Sequence, residues 1–159
     1  MPSTYTPIAT QTLGSAAASV TFSSIPQTYT DLVLVVVAPS GNNNDSLQFN
    51  SDTGANYSWT RVYGDGTSAA SSRSSNANYI RTTAGDLTNT NSILIQIMNY
   101  SNSTTNKTVL TRGTNPSVLT IAVAGLWRNT SAITTINYSV ATGTFATGST
   151  FTLYGIKAA

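Results

Sequence analysis

Apolar residues in this chain fall into short runs separated by clusters of Gly, Asn, Ser and Asp. The runs are rich in β-branched and aromatic side chains, which suit a pleated, half-buried surface. "LTIAVAGLW" (119–127) is the most regular: Leu119, Ile121, Val123 and Trp127 share one parity, and Thr120, Ala122 and Ala124 the other. "INYSV" (136–140) alternates in the same way, with Ile136, Tyr138 and Val140 against Asn137 and Ser139. A period of two along a run predicts a strand with one core face. Further strands are expected at Ala9–Leu13, Ser19–Ser23, 32–38, Ser46–Asn50, Ser58–Tyr63, Asn78–Arg81, Ser92–Tyr100, 107–113 and 151–156. No segment of ten or more residues carries a helical period, and "GSAAASV" (14–20) reads as a turn of small residues. The expected fold is all-β, an antiparallel β-sandwich or closed barrel of eight to ten short strands.

Two runs break the alternation. "LVLVVVA" (32–38) is apolar throughout, and "SILIQIMNY" (92–100) nearly so. A strand wetted on one face should alternate, so both need cover on a second face. An N-terminal arm over residues 1–8, a neighbouring subunit, or loops capping two central strands would each provide it. "GDGTSAASSRSSNAN" (64–78) and "SNSTTN" (101–106) are expected to be surface loops, the second a hairpin tip, because neither has apolar residues to order it.

Composition changes the picture of the surface. Hydrophobic residues make up 40% of the 159 positions, enough for a core, while charged residues are only 8% against an ordinary level of about 25%. Ser, Thr and Asn number 21, 28 and 15, so the surface is hydroxylated and amidic. Such a surface has little charge with which to hold neighbours apart. The net charge of +2 comes from seven cations spread along the chain. Without a basic cluster there is no footprint for nucleic acid. No apolar run approaches the roughly 20 residues of a membrane-spanning helix. The start, "MPSTYTPIAT", has neither the basic nor the apolar region of a secretory signal, and synthesis in a cytoplasm is expected. The expectation is one sandwich domain over residues 1–159, complete in itself.

Candidate chemistry is sparse. The chain has no Cys and no His, which removes thiolate nucleophiles, the usual zinc ligands and the usual neutral-pH base. No Gly-x-Ser-x-Gly elbow occurs, and nothing brings two carboxylates together for glycoside hydrolysis. The expectation is a protein that is not an enzyme and carries no cofactor. Asp52 and Asp65 stand in Gly-containing turns, where they could offer oxygens to calcium or simply bond their own backbone. Tyr57, Tyr63 and Tyr79 border the long polar segment, and flat rings beside amides suit sugar contacts. Trp59 and Trp127 stand within strand patterns and are expected in the core.

"FSSIPQTYTDLVLVV" (22–36), "LQFNSDTGANYSWTRVYGDGTS" (47–68) and the ending "FATGSTFTLYGIKAA" resemble short virion-associated proteins of tailed bacteriophages, notably of cyanobacterial and other aquatic hosts. The resemblance spans nearly the whole chain. It implies a β-sandwich of jelly-roll type on the particle surface and brings no catalytic residues with it. The expected function is capsid decoration: a cement protein, a homotrimer bound to the major capsid protein on the outer surface of the head, with no nucleic-acid or membrane partner. Its contacts are expected at Pro2, Tyr5, Pro7 and Ile8 and at the outward side chains Val33, Val35 and Val37. The alternative is a host-attachment module, a tail-fibre tip or carbohydrate-binding domain, with Tyr57, Tyr63 and Tyr79 touching glycan.

Overall fold

The computed structural model describes residues 4–39, 45–83, 90–115 and 119–157. Across them the apolar runs become strands β1 (Tyr5–Thr12), β2 (Ser19–Phe22), β3 (Asp31–Pro39), β4 (Asp45–Phe49), β5 (Tyr57–Gly64), β6 (Ala69–Ala77), β7 (Ile80–Arg81), β8 (Thr90–Met98), β9 (Lys107–Asn115), β10 (Leu119–Trp127), β11 (Ile136–Val140) and β12 (Thr150–Ile156). They form an eight-stranded sheet, β1-β12-β3-β8-β9-β10-β5-β6, and a four-stranded sheet, β2-β11-β4-β7. Every pairing is antiparallel, so the all-β antiparallel sandwich expected from the sequence is the fold. Twelve strands replace the expected eight to ten.

The pairing has a simple order. The first four strands bond to four later ones in reverse: β1 to β12, β2 to β11, β3 to β8 and β4 to β7. Odd members of that series lie in the large sheet and even members in the small one. Two hairpins, β5–β6 and β9–β10, extend the large sheet beyond β8. It therefore has four strands more than the small sheet that packs against it.

The core between the sheets is apolar and aromatic. Leu32, Leu34 and Val36 of β3, Ile93, Ile95 and Ile97 of β8, and Ile121, Val123 and Trp127 of β10 all point into it. At one end Tyr57 and Trp127 stack with their ring centres 6.2 Å apart, and Phe49 leans against them. A second group joins Tyr138, Phe145 and Phe151. Gly155 is required where it stands: a β-carbon there would overlap the Tyr29 ring. The turns are held by side chains. Asp65 accepts from the backbone N–H groups of Thr67 and Ser68, and Asn102 from those of Thr104 and Thr105. Asn102 thus shapes the hairpin tip expected at 101–106.

Two expectations need correction. The segment 64–78 is not a loop. Its residues 69–77 form β6, which pairs along β5 and closes the sheet. Main-chain hydrogen bonds to β5 order it, and they need no apolar side chain. Nor do Tyr5, Pro7 and Ile8 belong to a detached arm. They open β1, an edge strand paired to β12 with a register shift between Pro7 and Ala9. Pro2 lies outside the described residues.

Candidate functional site

The small sheet covers one face of the large sheet, and the opposite face carries apolar side chains interspersed with Gln96, Arg112, Thr60 and Ser71. Its positions follow from strand parity. One cross-strand row runs Tyr154, Val33, Gln96, Leu110, Ala124 and Thr60, from β12 to β5. The next runs Val35, Leu94, Arg112, Ala122, Val62 and Ser71, from β3 to β6. Val62 is 55% exposed, Leu110 48% and Val37 38%. Ala122 and Ala124 are exposed as well, and Val35 and Leu94 half-buried. Tyr5 is exposed at the β1 edge, where its ring meets Tyr154 edge-on. Arg112 and Arg73 are the charges on these rows, and no carboxylate accompanies them.

The sequence named Val33, Val35 and Val37 as outward contacts, and the three differ. Val33 is 2% exposed and is not available to a partner. Val35 is half-buried, and Val37 is open. The second face of the apolar ribbon is thus dry at one end and wet at the other.

A second feature lies on the inner side, where the large sheet extends past β7, the edge strand of the small sheet. Along β5 the inward side chains are Tyr57, Trp59, Arg61 and Tyr63, and Ser72 and Ser74 sit opposite on β6. Tyr57 and Trp59 are core residues. Tyr57 donates its hydroxyl to the Asp52 carbonyl and accepts from Phe49 N–H, and burial raises its pKa to about 12. It is therefore not a glycan contact. Further along, the Arg61 guanidinium lies 5.0 Å from the Tyr63 ring centre and 5.6 Å from that of Trp59. It donates to Ser72 Oγ and to the Thr83 carbonyl, which holds it against the end of β7. Arg81 and Tyr79 flank Ile80 there and are half-buried. Arg81 Nε is enclosed without an acceptor. Burial and the nearby Arg61 charge both lower its pKa. Two cations therefore share this edge, and among the described residues neither has a carboxylate partner. Arg61 and Arg81 are twenty positions apart and follow no motif, so no local pattern in the sequence pairs them.

The carboxylates weighed for calcium are committed to their own loops. Asp52 Oδ2 accepts from Trp127 Nε1 at 2.7 Å and from Asn56, and Oδ1 accepts from Gly54 N–H. Burial pushes the Asp52 pKa up, but these bonds outweigh it and hold the group below the usual range. Asp65 takes four donors from Thr67 and Ser68, which lower its pKa. Both acids do the work of backbone anchors. Asp45 differs. It is 2% exposed, bonded by Tyr138 Oη through Oδ2 while Oδ1 is without a partner, and burial raises its pKa to about 7.

By class, then, the chain is an antiparallel β-sandwich whose large sheet exposes Val62 and Leu110 on its outer face, with two arginines at the edge of the small sheet. No protein-family model matches it, and no curated protein matches it.

Proposed function

We propose that this chain is a structural protein of a bacteriophage virion, a capsid decoration protein that docks through the outer face of its large sheet. The observation that carries this reading is the pair of exposed apolar side chains Leu110 and Val62, on adjoining rows of a sheet face that no other described strand covers. Exposed apolar side chains gathered on one face mark docking surfaces, and arginine, here Arg112 between Leu94 and Ala122, is itself enriched at such interfaces. The scarcity of charge over the whole chain, at 8%, agrees with a molecule that works in contact with other polypeptide.

The winding of the chain supports the finer part of the reading, a jelly roll. The order β1-β12-β3-β8 opposite β2-β11-β4-β7 is that of a long hairpin of strand pairs rolled into two facing sheets. In this reading β5–β6 and β9–β10 are additions that widen the docking face. Decoration stabilises a shell mechanically: a subunit bridging its neighbours adds contact that must break before the shell opens. A closed trimer limits growth where an open arrangement would form filaments, and it suits the local threefold axes of such a shell.

Sedimentation of the purified chain and labelled antibody on intact particles test this. Trimers in solution and dense labelling over the head are expected. A monomer, with label confined to the tail, would overturn the reading. The arginine-and-tyrosine edge favours a second reading, host attachment through glycan, and tail labelling is the outcome that would support it.

A further inference from the structure

We propose that the edge where β7 meets the overhanging β5–β6 hairpin binds an acidic sugar, one bearing a carboxylate or a sulfate ester, with Arg81 as its direct partner. The site lies on the inner face of the large sheet, away from the docking face, and the inference does not rest on the assembly reading.

The argument begins with charge. Arg61 and Arg81 lie close enough for the charge of one to lower the pKa of the other, and among the described residues no acid offsets them. Two like charges held together in a fold otherwise poor in charge are a standing cost, which an anion between them removes. The two play different parts. Arg61 is clamped by Ser72 and the Thr83 carbonyl and contributes a fixed positive field. Among the described residues the Arg81 side chain donates to no acceptor, and its Nε is a buried donor without a partner. Buried donors without partners are uncommon in folded proteins. A small rotation of this side chain toward an arriving oxyanion satisfies that donor.

Guanidinium geometry selects the anion. Its planar fork matches the paired oxygens of a carboxylate or sulfate. The surroundings select a sugar as the carrier. Tyr79 lies near Arg81 and Arg61, with a half-buried ring suited to the C–H face of a pyranose. Two cations are too few to track a nucleic-acid backbone, whose binding proteins make about 6–10 phosphate contacts.

Titration calorimetry on the intact chain tests this with four probes: glucuronate, glucose 6-sulfate, neutral glucose and inorganic sulfate. At least one acidic sugar should bind at least ten times more tightly than glucose or inorganic sulfate. Which acidic sugar binds tells carboxylate from sulfate. The Arg81→Gln variant should lose at least tenfold in affinity, and Arg81→Lys should keep part of it. Arg73→Gln, on the opposite face, should change nothing and controls for net charge. Tyr79→Ala provides a second lesion if Arg81→Gln folds poorly, and it should also weaken binding. Absence of binding by both acidic sugars, equal binding of glucose or of sulfate alone, or undiminished binding by a folded Arg81→Gln would each overturn the proposal. Sedimentation of the same variants keeps this outcome separate from assembly, because Arg81→Gln should leave the oligomer intact.

Discussion

Two aspartates show how side chains with the same ionisable group serve opposite ends. Asp52 ties its loop to Trp127 across 75 positions of sequence. Removing its carboxylate leaves the indole N–H of a fully buried tryptophan without an acceptor. An unmet buried donor costs about 1–3 kcal/mol. Asp52→Ala should therefore destabilise the fold by roughly 2–3 kcal/mol in urea unfolding, while Asp52→Asn, which keeps an acceptor, should lose less. Asp45 behaves in the other direction. Its pKa is raised to about 7 by burial, so the folded chain holds a proton that the unfolded chain releases from about pH 4 upward. The stabilisation is complete below the unfolded value and is lost as pH rises through the folded one. A shift of this size corresponds to something on the order of 4 kcal/mol. Asp45→Asn mimics the protonated form. Its melting temperature should match the parent near pH 4 and exceed it near pH 8. A parent protein whose stability is flat between those pH values would contradict this assignment.

Among the elements, β10 and β6 mark the two limits of sequence legibility. The alternation in β10 predicts its faces position by position: Ile121, Val123 and Trp127 are buried, and Thr120, Ala122 and Ala124 exposed. In β6, "AASSRSSNA" has no apolar period, and its strand exists because β5 offers it a row of main-chain partners. The apolar run in β3 was legible as a strand but not in its cover. Val33 is closed over and Val37 is not, a difference that the uniform apolar run does not signal. The widened outer face gives the element-scale prediction. Leu110→Asp places a charge on an exposed strand position, so the lone chain should keep its stability within about 0.5 kcal/mol. Burial of an unpaired charge at an interface is costly, and self-association or particle binding should weaken at least tenfold in sedimentation or pelleting assays. Unchanged association would move the contact to another face.

For the whole molecule, contact through apolar area has a signature in salt. Net charge is +2, and the outer rows carry two arginines without acids. Association driven by ionic pairs weakens as the screening length shortens from about 10 Å at 0.1 M salt to 3 Å at 1 M. Association through Leu110, Val62 and Val35 should instead persist, or strengthen, from 0.1 to 1 M sodium chloride. Acidic-sugar binding at Arg81 should weaken over the same range. The two surfaces should therefore separate under one change of solvent, measured by sedimentation and calorimetry on the same preparation.

The amino-acid pattern alone determined the all-β class, the hairpin tip at 101–106, the core-facing parity of β10 and β11, and the core placement of Trp59 and Trp127. Each depends on local chemistry: a period of two, β-branched composition, or a polar side chain bonding its own turn. It also determined that two ribbons would be apolar on both sides. Only the tertiary structure decided how far their second face is dried, that β6 would extend the sheet, that Asp52 would meet Trp127, and that Arg61 and Arg81 would come together at one edge with no acid among the described residues. Those outcomes depend on strand pairings between residues far apart in sequence. A local pattern says which face of a strand is apolar, whereas the neighbouring strands set what lies against that face.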